Sequence, residues 1–411
     1  MTPAIFFDDG KGELGPLTDL RPAFDLRTGA LRSIERMRLV LGLKVVALFV
    51  PEPLAALTLD KLNIQTNELP DLDGPVLVVN GRCPIPLDEI REIEPGQALV
   101  ERKSGDVIAA RLEPRDATHF LEGDPPELDS QQIDENVLLS RPWHFRSVRD
   151  LAIESDMEIL RRRRRAPVPD GVALVGGDED DAIIDPDATI MPHVTLDLTH
   201  GPVVVSAGVV IRPGAVLCGP VAIGPNSTVL DRSLIKPNTA IGPVCKIAGE
   251  VGGCVFQGYA NKAHGGHLGD SWIGEWVNIG AGTNNSNLLN TYGEVTCRAT
   301  PDGSTERTGE MYLGMMAGDH AKFAIGTRIM TGTVVHTGAM LAGSCPVRGC
   351  VPPFCWCTDE GRRTYRLHKF LDVMRTVMGR RDIEPSSAYL DRIGALHHAE
   401  TERLAEKFKN S

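Results

Sequence analysis

Residues 211–247 read IRPGAVLCGPVAIGPNSTVLDRSLIKPNTAIGPVCKI, with an aliphatic residue at every sixth position. These are Ile211, Leu217, Ile223, Val229, Ile235, Ile241 and Ile247. Four positions after the first six of them stand Ala215, Val221, Ser227, Ser233, Thr239 and Cys245, all small or modest in size. A six-residue repeat of this kind predicts a parallel β-helix. Each hexad makes one flat face of a triangular prism, and three hexads complete a coil. The aliphatic side chain points inward and stacks on the next coil, while the small residue fits a corner. A single coil cannot bury its own face, so several must stack.

The register extends outward from this run. It is met earlier at Ile184, Ile190, Leu196 and Val205, and later at Ile273 and Ile279. A further run reads Leu313, Ile325, Thr331 and Thr337, with Ala317, Phe323, Ile329, Val335 and Leu341 at the partner positions. The solenoid is expected over 183–343, with breaks near 197–204, 248–272 and 285–311. Loops that leave a rigid scaffold are where function concentrates.

The flanks read differently. AIFF (4–7), KVVALFV (44–50) and PVLVVN (75–80) are short buried-strand candidates, and LRSIERMRLVLG (31–42) is an amphipathic helix between the first two. Strand, helix, strand implies a βαβ unit and an α/β, Rossmann-like domain over 1–165. That segment closes on a connecting helix within 141–165. Its five final arginines suit a helix C-terminus or the acidic run GGDEDDA (176–182). The solenoid domain is placed at 166–345, and a loop with a helical tail at 346–411.

Composition narrows the class. With 42% apolar residues among 411, the chain can build real cores, and 42 glycines and 29 prolines suit short strands and tight turns. A net charge of −12 argues against nucleic acid as a partner. No apolar run is long enough to span a membrane, and the start MTPAIFFDDG lacks the features of a signal peptide. Nine cysteines without a framework fit reduced thiols and a cytoplasmic location. CPVRGCVPPFCWC (345–357) has gaps of four, four and one between its cysteines, poor spacing for zinc. A histidine-held zinc site using His264, His267, His320 and His336 would need those residues to converge.

The polar segment 259–287, YANKAHGGHLGDSWIGEWVNIGAGTNNSN, interrupts the repeat. Through it the chain resembles the GlmU-like family, bifunctional enzymes that join a sugar nucleotidyltransferase to a glucosamine-1-phosphate N-acetyltransferase. The family's NKxH…LGDxxIGxxVNIGAGTxxxN pattern is carried here by NKAHGGHLGDSWIGEWVNIGAGTNNSN. The resemblance implies a left-handed β-helix that assembles as a homotrimer, with acetyl-CoA as co-substrate and an amino-sugar phosphate as acceptor. It puts the catalytic base on His264 and supporting asparagines on Asn278 and Asn287. It puts the sugar phosphate on Lys246 or Lys262, beside Tyr259, Asn261 and His267, and the acetyl-CoA along Ala281, Gly282 and Thr283. The chemistry agrees. A histidine can take the amine proton near neutral pH, and amide donors can hold an oxyanion. A lysine can hold a phosphate, and the acetyl-transfer step needs no metal ligand.

The front half departs from the family pattern. Gly10 and Gly12 are kept in FFDDGKGELGPLTDLRPAFDLRTG (6–29), but the loop's arginine is missing and Glu13 stands near its place. Arg82 stands where the family carries a metal-binding aspartate. Arg21, Arg27 and Arg82 are candidates for binding a sugar nucleotide; Mg and UTP belong to this half if it retains catalysis. The rival readings are an active nucleoside-diphosphate-sugar pyrophosphorylase and a non-catalytic trimeric scaffold that binds sugar nucleotides.

Overall fold

The computed structural model describes residues 1–409. The front domain holds a six-stranded sheet in the order Leu43–Phe49, Thr2–Phe7, Val76–Asn80, Val107–Leu112, Gln97–Glu101, Asp129–Ile133. Its first three strands are parallel, and helices Ser33–Leu41 and Glu52–Leu62 provide the crossovers. Gly42, at φ 67°, ends the first helix in the left-handed conformation that glycine takes without strain. This is the βαβ unit expected from the alternation of apolar runs.

Behind it runs a three-sided parallel β-helix. Val203, Val221 and Thr239 stand in register on one sheet, so a coil takes 18 residues there. Val210, Thr228 and Lys246 repeat that step on the second sheet, and Val216 and Leu234 on the third. The inward column of the first sheet is Val205, Ile223, Ile241, Phe256 and Ile273, all buried in one continuous core. Each such side chain contributes on the order of 1.5–3 kcal/mol through burial.

The first sheet is apolar on its outer side too. Ile183, Val204, Ala222 and Ala240 pack against Ile153, Met157 and Leu160 of the connecting helix, His144–Leu160. This two-sided burial explains why its strands read VVV, VAI and TAI with no polar alternation. The arginines that follow the helix pair with the acidic run, Arg161 with Asp181 and Arg165 with Asp180.

The solenoid differs from the sequence expectation in three respects. The breaks at 197–204 and 248–272 are not breaks. Thr195–Asp197 and Val203–Val205 are successive faces of one coil, and strands continue through 250–269. The coil through 197–204 is lengthened, so Thr195 pairs with Val216, whereas coils across the second stretch lose one to three residues, so Lys246 pairs with Asn261 and Glu250 with His267, and the six-residue phase slips. The break at 285–311 is real: Asn278 pairs with Lys322, and the intervening chain forms a hairpin of Thr296–Cys297 with Glu306–Arg307. After it, Ala317, Phe323, Ile329, Val335 and Leu341 are the inward column, whereas Ile325 is 79% exposed at a turn. The sheets also run past 345, through Cys350–Val351 and Cys355–Thr358. The tail helices Leu367–Gly379 and Ser387–Lys409 then fold back, with Phe370, Met374 and Ile393 packed around Phe354 and Trp276.

Candidate functional site

The polar segment remains part of the prism. Asn261 faces outward and Lys262 inward, directly in register with Ile247. Lys262 is therefore a cation in an aliphatic column, 1% exposed. Its Nζ donates to the carbonyls of Ala248 (2.8 Å), Gly266 (2.7 Å) and His264 (3.2 Å). Burial pulls its pKa down to about 8, while the three carbonyls satisfy the ammonium. Lys262 thus binds its own backbone and has no donor left for a substrate phosphate. Its effect is to fix the corner 263–266, on which the His264 side chain is exposed. Gly266 completes the corner: a Cβ there would meet the Thr283 carbonyl at 2.1 Å.

The outer side of the second sheet carries a polar ladder, Lys246, Asn261, Asn278 and Lys322, each in register with the next. Asn261 Nδ2 donates to Asn278 Oδ1 at 2.8 Å, which leaves Asn278 Nδ2 without a partner among the described residues. With the tail helix Leu367–Gly379 the ladder walls a groove of about 460 Å³. Tyr259 lines it too and stacks on Trp276 at 4.4 Å and 19°. Lys322 donates to the Trp276 carbonyl, and burial lowers its pKa to about 8.

Around the same corner the remaining asparagines are occupied. The His267 N–H donates to Asn284 Oδ1 (2.7 Å), and its Nδ1 lies 3.2 Å from the Asn285 carbonyl. Asn287 donates to Asp270 Oδ2 at 2.8 Å, and the Thr283 hydroxyl to the Ala324 carbonyl at 3.1 Å. Gly282, at φ 70°, and Ala281 form the next turn of the same edge. Thr283 is buried, so of the three residues expected along acetyl-CoA only Ala281 and Gly282 reach the surface.

The front-half arginines are not free to meet a nucleotide. Arg82 is held by Asp9 through Nε (2.8 Å) and Nη2 (2.6 Å), and by Asp106 at 2.5 Å. Arg21 is buried against Asp319 (2.8 Å) and Glu275 (3.3 Å) of the solenoid. Arg27 donates to the carbonyls of Gln257 and Ala30. Arg21 and Arg82 look available in the sequence because their carboxylate partners lie far away in the chain. Gly10 and Gly12, at φ 64° and 82°, shape the loop, and Gly12 lies against the Ser140 backbone.

The histidines weighed for a zinc site do not converge within the chain. His320 is buried 2.7 Å from the Tyr389 hydroxyl, and His336 Nε2 lies 2.9 Å from the Ala299 carbonyl. Among the described residues no group of three or more His, Cys, Asp or Glu could hold a metal ion. Nor is any described helix long and apolar enough to cross a membrane. Residues that sequence reasoning passed over are Lys322, Arg380 and Arg381, all of which line the groove. The insertion hides the register of Lys322, and the two arginines reach the site only through folding of the tail.

Parts of the chain are similar to known proteins. Residues 4–165 match the sugar nucleotidyl transferase family. The bifunctional protein GlmU of Kineococcus radiotolerans is 28% identical over 240 residues, 52% of this chain and 47% of that protein. GlmU of a Nostoc species is 30% identical over 204 residues, 44% of each chain. The matches thus span about half the length of these curated relatives. Among solved structures, the UDP-N-acetylglucosamine acyltransferase of Francisella novicida aligns with 54% of this chain and 74% of its own. Its identity is 17% and its TM-score 0.28. PerB of Caulobacter crescentus, solved with CoA and GDP-perosamine, aligns with 88% of this chain and 97% of its own, at 12% identity and TM-score 0.18. The chain is thus similar to the sugar nucleotidyl transferases over residues 4–165 and to bifunctional GlmU proteins over about half of its length.

Proposed function

We propose that the β-helix transfers an acetyl group from acetyl-CoA to the amine of a glucosamine-1-phosphate-like amino-sugar phosphate, in synthesis of a UDP-N-acetylglucosamine-type sugar nucleotide. The observation that carries this reading is His264. Its side chain is exposed on a corner whose carbonyls the buried Lys262 holds, and the corner follows the strand that carries Asn261, itself paired with Asn278. In the reaction His264 takes the proton of the attacking amine. The free Nδ2 of Asn278 donates to the carbonyl oxygen as it gains negative charge. Lys246, exposed on the ladder, holds the sugar phosphate. Asn287, tied to Asp270, shapes the acetyl end of the site. A homotrimer in the cytoplasm is the working state, with a neighbouring subunit closing the exposed side of His264.

The front domain has a different role. Arg21, Arg27 and Arg82 are engaged within the chain, which favours a docking or nucleotide-binding module over an active pyrophosphorylase. The test is thiol release from acetyl-CoA with glucosamine-1-phosphate, comparing the natural protein with His264→Ala. Turnover that drops by about 10²-fold or more is expected. No turnover across a panel of amino-sugar phosphates would end the acetyltransferase reading.

A further inference from the structure

The groove beneath the tail helix holds more positive charge than a sugar monophosphate calls for. Lys246 and Lys322 enter from the β-helix, and Arg380 and Arg381 from the end of helix Leu367–Gly379. None of the four has an acidic partner among the described residues, in a chain of net charge −12 whose buried Arg21, Arg36 and Arg82 are each paired with a carboxylate. The negative end of the helix accounts for part of the arginines' placement. It does not account for the two lysines, which sit on another element. Lys322 is half-buried and spends one hydrogen bond on the Trp276 carbonyl. Burial lowers its pKa to about 8, and no carboxylate offsets that cost. A desolvated, uncompensated cation of this kind is stabilised by a bound anion. The rest of the groove is apolar, with Tyr259 stacked on Trp276 at one side and Val373 and Val377 at the other. At about 460 Å³ it suits an organic ligand better than a bare phosphate ion.

We propose that this groove binds a nucleoside diphosphate group, its two phosphates meeting Lys322, Arg380 and Arg381, with Lys246 left to the sugar phosphate, and its base lying against the Tyr259–Trp276 stack. Coenzyme A and a UDP-sugar both carry such a group, and only the choice between them rests on the acetyltransferase reading. The helical tail is then part of the ligand site.

Calorimetric titration of the full-length protein with ADP and with AMP tests this. ADP is expected to bind at least about tenfold tighter than AMP, since one more phosphate gains charge-assisted hydrogen bonds. The Arg380→Ala/Arg381→Ala double variant, and separately Lys322→Met, should lose ADP affinity by about tenfold or more with an unchanged melting temperature. Of coenzyme A and UDP-N-acetylglucosamine, the one that binds tighter than ADP identifies the source of the group. Equal affinity for ADP and AMP, no binding at millimolar concentration, or full affinity in both variants would overturn the inference. His264→Ala should still bind ADP. Binding without any acetyl transfer would remove the acetyltransferase reading alone, and transfer without ADP binding would remove this one alone.

Discussion

Lys262 shows how much one residue settles here. It stands where the repeat calls for an aliphatic side chain, and the prism accepts it because three carbonyls surround its ammonium. Lys262→Met keeps most of the volume and removes every donor. It should destabilise the protein by on the order of 2–4 kcal/mol in urea unfolding, because buried carbonyls are left without partners. It should also lower kcat/KM for acetyl transfer by releasing the His264 corner. A stability change within about 0.5 kcal/mol would show that the carbonyls find other donors. In the sequence, the family resemblance offers this lysine, or Lys246, as the ligand of a sugar phosphate. Only its inward orientation shows that the backbone is its ligand.

At the scale of elements, the connecting helix His144–Leu160 carries a titrating group at its start. The His144 ring accepts from the Ser140 N–H at 3.3 Å. Burial, then the charges of Arg141 and Lys103, lower its pKa from 6.5 to about 4. Above pH 6.5 the imidazole is neutral in both folded and unfolded chains, and its contribution to stability is fully present. As pH falls from 6.5 toward 4 the unfolded chain takes up a proton that the folded chain refuses, so that contribution is lost. The loss amounts to about 2 kcal/mol at pH 5. His144→Gln removes the titration, so its urea midpoint should fall less between pH 7 and pH 5 than that of the natural protein. Parallel pH profiles for the two proteins would contradict the assignment. The helix itself was plain from its sequence. The surface it covers was not, because the outward residues of VVV and VAI read the same as inward ones.

At the scale of the whole molecule, front domain and β-helix are joined by buried charge. Arg21 meets Asp319 and Glu275, and Lys61 lies 3.1 Å from both Asp25 and Glu275. Arg21→Met leaves two buried carboxylates short of a cation and should cost about 3–5 kcal/mol. Limited proteolysis should then cut within 1–165 sooner than in the natural protein. Unchanged stability and unchanged cleavage would mean that the domains are held by apolar packing alone. The four cations of the groove, none with an acidic partner among the described residues, contrast with this junction, where nearly every charge is matched within the chain.

The sequence alone determined the α/β front segment, the three-sided coil and the polar segment on its edge. Each rests on local periodicity or on a short contiguous motif, and such patterns survive without knowledge of distant contacts. Tertiary structure decided which cations are free. Arg21, Arg82 and Lys262 look as available as Lys246 along the chain, but the arginines' acceptors arrive from residues far away, and Lys262 turns inward to the neighbouring coil and to its own corner. It also decided that Lys322, Arg380 and Arg381 share one groove, because a long insertion and a folded-back tail bring together residues that no local pattern connects.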